Sequence, residues 1–160
     1  MIVIANSTPL IALSKVGKLN LLKDIFGEII IPQGVYDEVV VQGAGRPGAG
    51  RVRKAAWIRT EQVRNRAMID FLLSELDRGE AEVLVLAEEL KANWLIIDEE
   101  KARIAARLIG FRQISTVGVL VLAKRRGLVN KIRPILDQLR RKNFRLSDRV
   151  YRRTLKEAGE

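Results

Sequence analysis

Residues 79–103, GEAEVLVLAEELKANWLIIDEEKAR, narrow the choice of fold more than any other stretch, because an amphipathic helix runs almost directly into a strand with no polar face. Val83, Leu86, Ala87 and Leu90 fall at i, i+3, i+4 and i+7, the apolar side of a helix. Residues 94–97 are a short apolar run of the kind buried on both faces of a parallel sheet. The pattern recurs along the chain. Residues 2–5 and 28–31 read as buried strands, 57–63 as an edge strand or irregular crossing, and 111–115 as a short edge strand, with helical stretches between them. Strands alternating with helices imply an α/β chain: a three-layer α/β/α sandwich around a mainly parallel central sheet, with further helices at the C-terminal end.

Two of the strand candidates run into an oxygen-bearing side chain, Asn6 after the first and Asp98 after 94–97. Ligands in open α/β sheets bind outside the carboxyl ends of the strands. Asp98 can therefore serve a site or cap the next helix, whose apolar positions are Ile104, Ala105 and Leu108. Ser7 or Thr8 can cap the first helix, with Pro9 at its first position. Glu80 lies on the inward face of its helix, where a carboxylate needs a partner or a function, although a first-turn acid also suits the helix dipole. Glu82 and Glu89 share the opposite side, expected to face solvent. In the helix over 33–41, Val35 and Val39 mark the inner face, Asp37 turns away and Glu38 flanks the apolar side, as a site residue or as ordinary solvated charge.

The 160 residues contain no cysteine and no histidine, so thiolate chemistry, disulfides and the usual general base and zinc ligand are excluded. One domain is expected, with 1–128 as its core and 129–160 as a basic helical extension. The opening residues lack the basic start of a signal peptide and no window has the length of a membrane span, so a cytoplasmic protein is the expectation. Charge is unevenly placed. Residues 1–100 carry 12 Lys/Arg against 15 Asp/Glu, net −3, whereas 101–160 carry 17 against 4, net +13. A basic half suggests a polyanion, and nucleic acid is the natural one. Candidate phosphate contacts are Arg46 and Arg51 in and beside the glycine-rich loop 42–50, Arg125 and Arg126 ending the apolar helix 117–126 that Thr116 would cap, and Arg140 and Arg149 on the last two helices. Gly43, Gly45 and Gly48 formally spell G-x-G-x-x-G, but Pro47 sits inside the turn and the preceding run is short, which disfavours a dinucleotide fingerprint.

If Asn6, Glu38, Glu80 and Asp98 meet at one edge of the sheet, three carboxylates would repel one another without a cation. Hard oxygen donors suit Mg2+ or Mn2+, which can polarise a phosphodiester and activate water. NSTPLIAL, VYDEV, GEAEVLVLA, LIIDEEKAR and STVGVLVLAKRRGLV, in that order over about residues 1–128, resemble the PIN domain, especially its VapC-like prokaryotic branch with a GEAE-type third motif. The resemblance implies a Mg2+- or Mn2+-dependent endoribonuclease, in many relatives a toxin held by an antitoxin partner and commonly a homodimer. It places Glu38, Glu80 and Asp98 on the family's acidic cluster, Thr8 on a hydroxyl position of the opening motif and Glu99 beside the last acid. Asn6 falls where the first aspartate usually stands, and it removes one negative charge. A catalytically weakened module that binds nucleic acid or protein without cutting is the alternative.

Overall fold

A computed structural model describes residues 1–160. The chain runs β1 (Val3–Ala5), α1 (Ser7–Lys15), α2 (Asn20–Phe26), β2 (Ile29–Pro32) and α3 (Gln33–Tyr36), which widens into a π-helical turn, Asp37–Val41. It continues through α4 (Ala49–Lys54), β3 (Ile58–Glu61), α5 (Arg66–Leu72), α6 (Arg78–Leu90), β4 (Trp94–Ile96), α7 (Glu100–Ile109) and β5 (Arg112–Ile114). Helices α8 (Thr116–Arg125), α9 (Arg133–Arg141) and α10 (Asp148–Glu157) close it. The strands form one fully parallel sheet in the order β3-β2-β1-β4-β5. The ambiguous stretch after Trp57 is thus an edge strand, and β5 is the other edge.

Parallel strands need helical crossovers, and these cover both faces as a three-layer sandwich. Helices α1, α2 and α10 pack around α8, while α3, α5 and α7 pack around α6. Strands β1, β2 and β4 are buried almost completely, as their unbroken apolar runs require. The core is one contiguous cluster, and Ile132, Leu136, Leu139 and Leu155 of the C-terminal helices belong to it alongside Ile4 and Leu95. Helix α8 is apolar nearly all round because α1, α2 and α10 of the same chain enclose it. No helix is long and apolar enough to cross a membrane.

The chain leaves β1 toward β2 and β3, then returns to the other side of β1 with β4 and β5. The crevice at the carboxyl ends of β1 and β4 is therefore a topological switch point, where such sheets bind ligands. Ala5 pairs with Ile96, and the Asn6 N–H donates to the Ile96 carbonyl at 3.0 Å, so Asn6 and Asp98 emerge side by side at this edge.

Several local expectations are corrected. Asn6, rather than Ser7 or Thr8, caps α1, and its Oδ1 accepts the Ser7 N–H at 2.9 Å. Ser115, rather than Thr116, caps α8, accepting the Gly118 N–H. Glu99 occupies the N-cap position of α7, so Asp98 is not its cap. Helix α7 turns Ala102 and Ala106 inward and leaves Ile104 and Leu108 exposed, because small residues let it lie close to the layer below. Glu82 is not on a solvent face. It is 1% exposed, held between α6 and α3. Glu89 accepts the N–H groups of Arg64 and Asn65 at 2.7 and 2.9 Å and ties the turn before α5 to α6.

Candidate active site

Gly79, in the first turn of α6, marks the meeting point of the site. A Cβ at Gly79 would stand 3.4 Å from Asn6 Oδ1, 3.4 Å from Glu38 Oε2 and 3.6 Å from Asp77 Oδ1. Three oxygens, from the end of β1, the π turn and the cap of α6, thus face one small volume that glycine leaves open. Asn6 is only 3% exposed, whereas Glu38 is open to solvent.

The local sequence sets the aim of Glu38. A π turn adds a residue to the helical repeat, a feature frequent at functional sites. Here it keeps Val39 in the core while Glu38 stays outside. A clamp fixes the turn against α6: Arg78 reaches Asp37 at 3.1 Å and Glu82 at 2.7 Å, and Glu82 accepts the Gly34 N–H at 3.0 Å. A Cβ at Gly34 would come within 2.7 Å of Glu82 Oε2, so only glycine allows this approach.

Glu80 and Asp77 form a reciprocal capping box: the Glu80 N–H donates to Asp77 Oδ1 at 2.8 Å, and the Asp77 N–H donates to Glu80 Oε1 at 3.0 Å. Burial pushes the Glu80 carboxyl above the ordinary glutamate range. The Asp77 N–H opposes that rise, and the charges of Asp77, Glu99 and Glu38 add to it. Asp98 accepts the Thr116 N–H at 2.9 Å and the Thr116 hydroxyl at 2.6 Å. Burial pushes Asp98 up as well, against the two Thr116 bonds and the Arg103 charge, with Glu99 adding repulsion. Glu99 is therefore the acid common to the fields of Glu80 and Asp98, while Asn6 and Glu38 meet at Gly79, one residue before Glu80.

This donor set is entirely hard oxygen; burial is the main cause that raises Glu80, and the like charges of Asp77, Glu99 and Glu38 that add to it are what a cation would relieve. No three acidic side chains stand close enough together to hold a metal ion as they are arranged. Mg2+ commonly takes only one or two protein carboxylates and keeps several waters, so the paired oxygens of Asn6 and Glu38 beside Glu80 fit that mode.

Two clefts adjoin the acids. One, of about 400 Å³, is lined by Thr8, Asp98, Glu99, Lys15, Lys142 and Arg145. The other, of about 780 Å³, has Asp98 and Arg103 on one wall and Arg145, Arg149 and Arg153 on another. Of the candidate phosphate contacts, Arg149 alone lines a cleft with an acid of the site. Arg140 lies 4.1 Å over the Tyr151 ring and donates to the Leu146 carbonyl and to Asp148, which occupies it structurally. Arg125 and Arg126 end α8 about 15 Å along its axis from Thr116, and they share a recess with Met1 and Trp94 at the opposite end of the strands. Arg126 also donates to the Ile25 carbonyl. Arg46 borders a recess with Arg53 beside the glycine loop, and Arg51 is exposed on α4. That loop follows a helical turn and not a strand, so it lacks the setting of a dinucleotide fingerprint.

Asp77, Lys15, Lys142 and Arg145 were not singled out from the sequence. Asp77 was legible, since D-x-x-E before an apolar helix is a capping-box signature. The other three carry no local signal: Lys15 ends α1, and Lys142 and Arg145 reach the same cleft only through the packing of the segment that follows α9.

A family model described as a PIN domain matches residues 2–160. Among curated proteins no relative matches the chain.

Proposed function

The chain belongs to the PIN-domain family, a nuclease-type fold, and on that premise we propose that it is a metal-dependent endoribonuclease acting at the crevice between β1 and β4. The observation that carries this is the convergence of Asn6 Oδ1 and Glu38 Oε2 on the open space at Gly79, beside a Glu80 whose carboxyl is raised by burial and like charge. Glu38, Glu80 and Asp98 would hold Mg2+ or Mn2+ once the ion draws them together, since they do not stand close enough as arranged, with Asn6 contributing a neutral oxygen or orienting water. The ion would supply a Lewis acid that polarises the phosphodiester and lowers the pKa of a water. Glu99, exposed and next to Asp98, would support the site by accepting a proton from the attacking water. The Thr8 hydroxyl, which lines the smaller cleft with Asp98 and Glu99, can donate to a phosphate oxygen. Hydrolysis would add water across one P–O bond and leave a phosphate monoester and a hydroxyl.

The VapC-like motif order supports a toxin role with an antitoxin partner in the cytoplasm. Apolar side chains exposed on α5 and α7, with Phe71 at 74% and Leu108 at 83%, support a homodimer. A catalytically weakened module is the competing function, and Asn6 in place of an aspartate together with the separation of the acids favours it. Incubation of a mixed single-stranded RNA pool with Mg2+, Mn2+ or EDTA, comparing wild type with Glu38→Gln, Glu80→Gln and Asp98→Asn, decides between them. Metal-dependent cleavage lost in the variants establishes the nuclease; an inert wild type that still binds RNA establishes the module.

A further inference from the structure

The two clefts beside the acids share Asp98, Phe144 and Arg145. One opens toward Thr8, Glu99, Lys15 and Lys142, the other toward Arg149 and Arg153 on α10. Arg145 and Arg149 are exposed and take part in no ion pair, and Lys142 uses no side-chain atom in any hydrogen bond. Arg153 is held only loosely, 4.0 Å from Glu157. Glu100 and Glu157 also line the larger cleft, but cations left unpaired or loosely paired along a concave wall make a path for a chain of phosphates, since close pairing would cancel the field that attracts them.

The concavity also has a size. At about 780 Å³ the larger cleft falls within the range of small-ligand pockets. It admits the backbone and one or two nucleotides of a single strand, whereas double-stranded RNA is bound across successive grooves over a much longer surface. We propose that residues 142–153 form a single-strand subsite, in which RNA passes from the Thr8–Glu99 side of Asp98 over Arg145 and into the cleft of Arg149 and Arg153. The C-terminal helices thereby fix which phosphodiester lies at the acids. This assignment rests on the endoribonuclease reading for its consequence, but the binding it describes can be measured without cleavage.

The test is fluorescence anisotropy of an end-labelled single-stranded RNA with the full chain in EDTA, repeated over a range of salt. Arg145→Ala/Arg149→Ala should weaken binding about tenfold or more and reduce the slope of log K against log salt by about 1.4, the loss of two phosphate contacts at about 0.7 each. Arg64→Ala/Arg107→Ala, which removes two exposed cations outside both clefts, should bind as wild type does, and a fully paired RNA duplex should bind more weakly than the single strand. Unchanged binding by the Arg145/Arg149 variant, an equal loss in the Arg64/Arg107 variant, or preference for the duplex would overturn the subsite. Glu80→Gln should abolish cleavage in Mg2+ or Mn2+ and leave this binding intact. Salt-dependent binding that needs Arg145 and Arg149 without any metal-dependent cutting keeps the subsite and removes the nuclease, and cutting with unaltered binding does the reverse.

Discussion

Substituting Gly79→Ala separates the site from the fold. The new methyl carbon would lie 3.4 Å from both Asn6 Oδ1 and Glu38 Oε2, in contact but without overlap. Alanine is favoured over glycine by up to about 1 kcal/mol inside a helix, and about half of that is reasonable in the first turn. For a domain of this size 1 kcal/mol moves Tm by about 2–4 °C, so the metal-free variant should melt about 1–2 °C above wild type. The same methyl fills the space between the two oxygens. A cation bound to the folded state at a hundred times its Kd stabilises by about 2.7 kcal/mol, or about 5–10 °C here. Wild type should show that shift when titrated with Mn2+ or Mg2+ in a melting assay, and Gly79→Ala should lose most of it together with cleavage. A full metal shift in Gly79→Ala would refute the placement of the ion between Asn6 and Glu38, and a Tm drop of several degrees without metal would refute the contact geometry.

Glu82→Ala removes the acceptor for the Gly34 N–H and one anchor of Arg78. It should cost about 2–3 kcal/mol in urea unfolding, since a buried donor is left unsatisfied, and a loss below about 0.5 kcal/mol would show that the clamp is dispensable. Asn6→Asp keeps the cap on α1, because Asp and Asn cap equally well, but adds a charge facing Glu38. It should lower stability in EDTA and enlarge the metal-dependent Tm shift; an unchanged response to metal counts against Asn6 as a ligand position. Glu160 is the acid-sensitive group. Burial opposes its ionisation, yet the N–H groups of Ile132 and Arg133 and the Lys124 ammonium outweigh that and hold it below the ordinary glutamate range. A depressed carboxylate stabilises the fold above its unfolded pKa, and the contribution is lost as pH falls through the folded value. Glu160→Gln should therefore be less stable than wild type at neutral pH, with the gap closing in acid; a gap that stays constant with pH would dismiss the ionic contribution.

The parallel sheet was legible because a strand buried on both faces must be apolar throughout, and 2–5, 29–31 and 94–97 are. Amphipathic stretches were legible on the same ground where large residues make the buried face. Helix α7 defeated that rule: it buries Ala102 and Ala106, and periodicity weighted by size pointed to Ile104 and Leu108 instead. Glu82 was misplaced for a related reason. A charged residue opposite the apolar stripe normally meets solvent, but Gly34 has no side chain, so α3 comes close enough for Glu82 to satisfy its backbone. The link between Asp98 and Thr116 joins residues 18 apart on different elements, and no spacing rule reports it. Asn6, Glu38, Glu80 and Asp98 were all named from sequence, yet the meeting of Asn6 and Glu38 at Gly79, and the division from them of Asp98 by its bonds to Thr116, needed the crossover geometry.

That division bears on how the acids coexist when no cation lies among them. Asn6 caps α1, Glu80 closes the box at the start of α6, and Asp98 holds the first residue of α8, so each has a structural partner of its own. Glu38 and Glu99 are the exposed acids, free to turn toward a ligand. A cluster in which all the acids faced one point would repel itself apart when metal was scarce. Here the neutral Asn6 and the separate bonding of Glu80 and Asp98 limit that repulsion, at the expense of a preformed cage. Metal affinity should then depend on Glu38 more steeply than on Asp98, because Glu38 gives up no protein hydrogen bond to bind, whereas Asp98 must share oxygens already held by Thr116.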